Sequence, residues 1–551
     1  MISDTITTIP QLEASDPQSS ELAKVSKRWE RYALYAALII VIGFFAFVRV
    51  RLSTMPLERD EGEYAYAGQL ILHGIPPYRF AYNMKLPGTY AAYALIMAVF
   101  GDTVAGIHLG VMLVNATATF LVFLLGKYLH GPLVGVVSAC TYALLSTRSS
   151  VLGLQGHATH FVVLAELAGI LLLLHAIETG RRALLFLSGV ALGLAFLMKQ
   201  PGIVFAVFAF LYWLWIERTG SRRRLAAGSA IFLCGVAVPF AFTCMILYRA
   251  GVFREFWFWT FSYARAYGSI LSLRDGWKEL RVVGPWVIRP FLIWGIAAVG
   301  LTAMLWNRKV RRRSTFSVGF LLFSFTAVCP GLYFRPHYFI VLLPAIALWT
   351  GIAIAAAQDR LRSQSKRWLA YIPLTSFIIA CGFSIHGHWN VYFRLDPLAV
   401  YGREHDSQGS GCADGCVQSA AAGEYIRTHS SESDEVAVLG SEPAIYFYAH
   451  RRSATGYIYM FPLTERQKFA HSMQEQMIGE IARNRPEFLV YVDDGYSWQT
   501  DRVPPRDEAL LDRLQQFVCQ GYSLEEQFPI SSDSWHRWGD HSAMYIFHRK
   551  Y

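Results

Sequence analysis

A chain of 551 residues that is 54% hydrophobic and 16% charged, with a mean hydropathy of +0.31, departs from soluble proteins, in which about a quarter of residues are charged. That balance excludes an ordinary soluble enzyme, a disordered chain and a disulfide-stapled secreted module. With 15% aromatic residues and apolar runs recurring through its first two thirds, it reads as a polytopic α-helical membrane protein. The formal charge of +10 would suggest nucleic acid for a soluble protein; here it reads as Lys and Arg retained on one side of a bilayer.

Residues 1–31 form a polar, Ser/Thr-rich tail that ends in Lys24, Lys27, Arg28 and Arg31. The apolar run from Tyr32 to Val50 is long enough to cross about 30 Å of hydrocarbon. It is too long for a signal peptide and no small-x-small cleavage site follows, so it is the first expected span. Further spans are expected near 103–126, 131–148, 157–177, 184–198, 201–216, 226–248, 285–306, 315–333, 338–357 and 368–385, about eleven in all. Gly88 to Phe100 is too short to cross and reads as an interfacial or re-entrant helix. No period typical of repeat proteins is visible.

Positive charge orients the chain. With the N-terminus cytoplasmic, the inner segments are the tail, Lys127, Arg181-Arg182, Arg218 with 221–224, the basic stretch 308–313, and 359–367. Every one carries Lys or Arg, as short cytoplasmic loops do. Residues 51–86, 250–284 and the C-terminal portion then face outward, which places the chain in the cytoplasmic (inner) membrane with an extracytoplasmic tail.

The expected organisation is thus a cytoplasmic tail over 1–31, a transmembrane domain over 32–387 whose first outer loop is 51–100, and a soluble α/β domain over 388–551. Strand-like segments at 436–440, 488–493 and 543–549 alternate there with helical ones such as 464–484. The tail shows neither a Gly-rich phosphate loop nor a metal-ligand cluster, and is not expected to hold the chemistry. An oxidising outer face allows a Cys412–Cys416 bridge and leaves Cys519 as the odd thiol. The remaining cysteines, in or at the ends of spans, read as small apolar fillers.

Ionisable groups at the edge of a bilayer are costly and need an explanation. The densest set follows the first span: Arg59-Asp60-Glu61-Gly62-Glu63-Tyr64, with Asp60, Glu61 and Glu63 within four residues. A helix over 61–73 is expected, stopped by Gly74 and Pro76-Pro77. Asp60 and Glu63 fit a capping box at its start. Capping alone leaves Glu61 and the downstream Tyr78, Arg79 and Lys85 without a role.

This segment resembles the first outer loop of GT-C membrane glycosyltransferases that use polyprenyl-phosphate sugars. It is most similar to bacterial members of glycosyltransferase family 39, the group of the protein O-mannosyltransferases and the lipid A aminoarabinose transferase. The resemblance rests on Asp60-Glu61, Tyr64-Ala65, Gly74-Ile75-Pro76-Pro77-Tyr78 and Lys85-Leu86-Pro87-Gly88. It is joined by Met198-Lys199-Gln200-Pro201-Gly202 and Arg335-Pro336-His337-Tyr338-Phe339, and spans about residues 30–390. Leu86 departs from the usual proline. Met84 stands where the aminoarabinose transferase has an acidic metal ligand, and a thioether suits a hard divalent ion poorly. No cofactor is therefore certain, and a divalent metal is left open.

The residue types suit what the resemblance implies. An outward-facing transferase has no supply of nucleotide sugars, so its donor must arrive in the membrane, as a sugar on an isoprenoid phosphate does. Phosphate already leaves well. One carboxylate suffices to take the acceptor's proton, and cations must hold the phosphate; a glycosidase needs two carboxylates. The catalytic candidates are Asp60 and Glu61, with Asp60 the base, and the phosphate partners are Lys85, Arg335, His337 and Lys199. Further substrate contacts are assigned to Glu63, Tyr64, Tyr78, His157, His160 and Arg265. Each has a plainer alternative: Lys85 and Arg335 as snorkelling interfacial cations, the two histidines as interfacial residues, and Arg265 with Trp257, Trp259, Tyr263 and Tyr267 as an aromatic belt. The expected partners are a polyprenyl-phosphate sugar and a glycan, lipid or protein acceptor, with membrane lipids and no nucleic acid. The competing functions are a transporter or flippase of lipid-linked glycans, or a membrane-anchored binding protein working through its tail. Transporters usually show related halves and midplane charges.

Overall fold

Hydrocarbon offers the backbone no hydrogen bonds, so apolar runs of this length fold as helices that satisfy their own amides. The computed structural model describes residues 17–289, 291–362, 364, 366–406, 413–498, 508–530 and 542–550; residues 1–16 of the expected tail and Cys412 lie outside them. The first nine helices are Pro17–Arg51 (α1), Arg59–Leu72 (α2), Gly88–Phe100 (α3), Val104–His130 (α4), Pro132–Leu145 (α5), Ala158–Thr179 (α6), Arg182–Met198 (α7), Ile203–Glu217 (α8) and Arg222–Arg249 (α9). All eleven expected spans fall on helices. Among the described residues seven helices are long and apolar enough to cross alone, while Pro132–Leu145, Arg182–Met198 and Ser314–Val328 are apolar but shorter. The span expected at 285–306 instead begins at Phe291, and forms a bent pair with Leu273–Val287. The Arg289-Pro290 step explains the break, because the residue before proline avoids the helical region.

After Asp434 the pattern changes to strands. Glu435–Leu439 (β1), Arg452–Ser453 (β2), Phe488–Asp493 (β3), Tyr522–Pro529 (β4) and Ala543–Arg549 (β5) form one sheet in the order β2-β1-β3-β5-β4. β1 runs parallel to β2 and β3; β5 is antiparallel to β3 and β4, with a bulge between Leu524 and Glu526. The three apolar segments expected as strands are β1, β3 and β5. β4 has polar, mostly exposed residues at the sheet edge, where no alternating apolar pattern announces it. Cys416 is buried and disulfide-bonded.

Among the described residues two large apolar cores organise the molecule, with a third small cluster around Leu38 and Phe123. One lies within the helical bundle and is centred on Leu343–Arg362, most of whose residues are buried, Trp349 among them. The other joins α2 and α3 to the sheet region, so the tail is docked on the first outer loop. The docking is close: a Cβ on Gly62 would sit 2.6 Å from the Ala444 Cβ. Arg59 pairs with Glu442 at 3.0 Å, the Tyr82 amide donates to the Gly456 carbonyl at 2.6 Å, and the Tyr66 hydroxyl accepts from the Ser453 amide at 2.8 Å.

Candidate active site

The site begins with the rotation of α2. Its N-cap is Glu58, whose carboxylate accepts from the Asp60 amide at 2.7 Å, while the Glu58 amide donates to Glu61 Oε2 at 3.0 Å. The capping box is therefore Glu58–Glu61, two residues before the expected Asp60–Glu63 pair. That shift frees the Asp60 carboxylate. Successive helical residues point about 100° apart, so Asp60 and Glu61 face different surroundings while Asp60 and Glu63 share a face.

Glu61 faces inward and is fully buried. It accepts from the Gly156 amide and lies 3.2 Å from His108 Nε2, tying α2 to α4 and to the segment before α6. Glu61, expected among the catalytic candidates, is absent from the cavity lining, and its contacts brace the loop. Asp60 and Glu63 instead converge on Lys85, whose ammonium lies 2.8 Å from Asp60 Oδ1 and 2.6 Å from Glu63 Oε2. Glu63 is fully buried and also accepts from the Tyr90 hydroxyl. The Lys85 ammonium lies 4.5 Å from the Tyr64 ring centroid, and Tyr78, also buried, donates to the Lys85 carbonyl at 2.7 Å. Glu63 and Tyr78 thus position Lys85 and are not exposed to a ligand. Burial by itself would raise the Asp60 carboxyl, but Lys85 together with His337 and His157 outweighs it and holds the group well below the usual carboxylate range.

Lys199 reaches the same place through a break in the bundle. Pro201 ends the run begun by α7, leaving Lys199 extended at φ −160°. The 85–88 turn docks on that break. Gln200 donates to the Met84 carbonyl at 2.6 Å and Thr89 to the Met198 carbonyl at 2.8 Å. A Cβ on Gly88 would sit 2.4 Å from the Leu197 carbonyl oxygen, so this approach requires glycine. Arg335 follows a tight turn in which Gly331, Leu332 and Phe334 all have positive φ. Such strain in non-glycine residues persists where surroundings over-determine the backbone, often at functional sites.

These elements enclose a cavity of about 230 Å³, lined by Asp60, Tyr64, Met84, Lys85, Lys199, Tyr263, Tyr267, Arg335, His337, Tyr338, Tyr459 and Glu465, with smaller neighbours. Asp60, Tyr64, Lys85, Lys199, Arg335 and His337, scattered over 278 positions of sequence numbering from first to last, meet there. Lys85 is already paired with two carboxylates. Among the described residues no carboxylate lies within ion-pairing distance of Lys199 or Arg335, so these are the cations left for an anion. Burial, with Lys85 and Arg335 adding to it against Asp60, pushes the Lys199 ammonium down to about 7.

Two expected contacts fall elsewhere. His160 is fully buried against Asn115, at 2.9 Å, and faces away from the cavity. Arg265 is exposed. Tyr263 and Tyr267, four residues apart, share the face that lines the cavity, and Arg265 between them points out. The π-helical stretch Phe258–Tyr263 precedes this face. The tail, which was not expected to hold the chemistry, contributes Tyr459, Phe461, Pro462 and Glu465 to the wall. Tyr263 donates to Glu465 at 2.6 Å, and burial pushes the Glu465 carboxyl up to about 7. No local motif marks these tail residues in the sequence; only their apolar and aromatic character hints at burial.

Three side chains of ligand type meet beside the cavity. Asp60, His157 and His337 bring one ligand atom each within 4.8 Å of one another. His157, expected as a substrate contact, packs behind the cavity wall, its ring stacked on His337 with centroids 4.1 Å apart.

Comparison with known proteins agrees with this architecture. Residues 85–248 match the family described as dolichyl-phosphate-mannose-protein mannosyltransferase. The undecaprenyl phosphate-alpha-4-amino-4-deoxy-L-arabinose arabinosyl transferase of Pseudomonas aeruginosa is 30% identical over 237 residues, 40% of this chain and 42% of that protein. Its counterpart in Pseudomonas savastanoi pv. phaseolicola is 23% identical over 325 residues, 56% of this chain and 59% of that one. The chain thus spans about half the length of these curated relatives. Among solved structures, ArnT from Cupriavidus metallidurans bound to undecaprenyl phosphate superposes with a TM-score of 0.56 at 14% identity, over 94% of this chain and 97% of that one. The Archaeoglobus fulgidus oligosaccharyltransferase in complex with Zn and sulfate gives 0.51 at 13% identity, over 83% and 68%. The chain is therefore a multi-pass membrane protein with the GT-C fold that these membrane glycosyltransferases share.

Proposed function

We propose that the protein is an inverting glycosyltransferase that moves a sugar from a polyprenyl-phosphate donor to a hydroxyl acceptor at the outer face of the cytoplasmic membrane. The observation that carries this reading is the juxtaposition of Asp60 with Lys199 and Arg335, cations without carboxylate partners among the described residues, around one cavity at the end of the helical bundle. The names of the relatives supply the lipid carrier, and the same end of the bundle is the outer one by the distribution of Lys and Arg.

In the reaction the acceptor oxygen attacks C1 of the sugar from the side opposite the phosphate. The C1–O bond to phosphate breaks, its electron pair leaves with the polyprenyl phosphate, and the anomeric configuration inverts. Lys199 and Arg335 hold the charge that grows on the departing phosphate. Asp60, aligned by Lys85, is ionised and accepts the hydroxyl proton as attack proceeds. Because Lys85 makes Asp60 a weak resting base, the proton passes on to the released phosphate, whose second pKa near 6 makes it the better final holder. Tyr64, Tyr267 and Tyr338 wall the sugar. The transferred sugar, a pentose or a hexose, is the one carried by lipids that co-purify with the chain, which mass spectrometry identifies.

The carboxylate is tested with Asp60→Asn in the purified chain, supplied with polyprenyl-phosphate sugars. Transfer falls about 10²–10⁴-fold while folding and donor binding persist. Undiminished transfer would exclude Asp60 as the base. For the transport reading the relevant observation is Glu166, fully buried within α6 with both oxygens unpartnered. Glu166 does not line the cavity, and the remaining charges of the site gather at one end of the bundle instead of along a path through it.

A further inference from the structure

A second basic cavity lies at the same end of the bundle as Asp60 and shares none of the first cavity's lining. Ser149–Val151, in its wall, packs on Pro336–Leu342, the turn that carries His337. The cavity measures about 180 Å³, far above the about 10–15 Å³ that one water needs. Arg148, Arg289, Arg403, His388, Trp286 and Ser150 line it, and among the described residues no carboxylate does.

Its polar atoms are left short of partners. Arg148 is 6% exposed. One of its terminal nitrogens donates to the Ser384 carbonyl at 2.9 Å and to the Ser384 hydroxyl at 3.0 Å, but its Nε has no partner. Trp286 Nε1 and His388 Nδ1 are likewise buried without a hydrogen bond. Burial pushes the His388 imidazole down to about 3, and Arg148 and Arg403 push it the same way, so both guanidinium charges act on one ring. A buried charge without a counter-charge is costly, and so is an orphaned donor. One anion offsets both costs.

We propose that this cavity holds the phosphate of an acidic glycerophospholipid, in the leaflet on the active-site side of the membrane. The site does not depend on the reaction assigned to Asp60. Guanidinium groups present fixed forks of donors that match phosphate oxygens, and the indole and imidazole add to them. A zwitterionic headgroup would bring its own cation to a cavity that already gathers three, so an acidic lipid is selected. Position favours a lipid over free phosphate. Gly387 closes the span Trp368–Gly387, His388 follows it, and Arg289 stands in the break before Phe291–Trp306. Phe383 and Trp389 beside the first, and Ile288, Phe291 and Leu292 beside the second, are exposed. The cavity thus lies at headgroup depth, with apolar and aromatic side chains next to it to meet acyl chains. A bound phosphate ties Leu273–Val287, Ile372–Gly387 and Pro397–Asp406 to the turn after α5, so occupancy stabilises the fold by mass action.

The test uses the purified full-length chain, stripped of lipid in detergent and titrated with phosphatidylglycerol while its melting temperature is followed. Phosphatidylglycerol raises the melting temperature to a plateau. Arg289→Gln combined with Arg403→Gln, both exposed and outside the Asp60 cavity, raises the half-saturating concentration at least tenfold. Arg274→Gln combined with Arg281→Gln, exposed arginines that do not line this cavity, leaves it unchanged. Native mass spectrometry counts one retained phosphatidylglycerol fewer in the first variant than in the wild type. Half-saturation of that variant at the wild-type concentration overturns the site. Equal protection by phosphatidylcholine overturns the selection of an acidic lipid. Equal protection by inorganic phosphate at the same concentration assigns the cavity to free phosphate and overturns the lipid.

Discussion

At the scale of single residues, Lys199 shows how burial converts a surface cation into a receptor for anions. Its ammonium is pushed down to about 7 chiefly by burial, with Asp60 opposing and Lys85 and Arg335 adding to the shift. A phosphate in the cavity supplies the missing counter-charge and lifts it again. Above pH 7 binding must therefore take up a proton, and the affinity for a short-chain polyprenyl phosphate falls as pH rises, by up to about tenfold per unit. Lys199→Arg stays charged throughout this range. Calorimetric titration between pH 7 and 9 should show a steep loss for the wild type and a flat profile for the arginine variant. An equally steep profile in both would remove Lys199 from the phosphate site. The same scale explains why adjacent acids diverge: on one turn of α2, Glu61 is spent on an amide and a histidine, and Asp60 is left facing the cavity.

At the scale of elements, α2 is the joint between the bundle and the sheet region. Arg59 and Glu442 pair at 3.0 Å with side chains 14% and 1% exposed. Removing one member of a buried pair strands the other charge, at a cost of about 3–5 kcal/mol. Glu442→Gln is accordingly expected to lower the melting temperature in detergent. Arg59→Met combined with Glu442→Leu should recover much of the loss, because no charge is then left buried. Close packing makes the second test. Gly62→Val places atoms where Ala444 already lies, its Cβ 2.6 Å from the Ala444 Cβ and 2.8 Å from the Ala444 Cα. Limited proteolysis should then release the sheet region from the membrane portion, whereas the wild type resists. Unaltered digestion would mean that α2 does not anchor it.

At the scale of the whole molecule, the tail closes the site as well as decorating it. Tyr459, Phe461, Pro462 and Glu465 form part of the cavity wall, and the second apolar core runs unbroken from α2 into β1 and β3. A chain ending at residue 396 should still insert in the membrane, since its spans precede that point, yet lose sugar transfer because the cavity is opened to water. Transfer by the truncated chain at wild-type rate would show that the wall is dispensable.

Much of this was legible without coordinates. Spans follow from the length of apolar runs, because hydrocarbon admits few alternatives to helix. The strands β1, β3 and β5 follow from short apolar segments, and the motifs around Asp60, Lys85, Lys199 and Arg335 follow from charge placed where the bilayer makes charge expensive. Local sequence was insufficient wherever the outcome depended on which partner arrived from afar. Glu58 competed with Asp60 for the helix cap, and the difference of two residues decided which carboxylate stayed free. Whether a cation meets a carboxylate or an empty cavity, as Lys85 and Lys199 do respectively, is a question of long-range packing. So is the meeting of His157 and His337, separated by 180 positions of the sequence yet stacked ring on ring. The sequence by itself determined the membrane architecture and the inventory of chemical groups, since both depend on local composition. Tertiary structure alone decided which of those groups share a cavity, because burial and pairing are properties of contacts between distant segments.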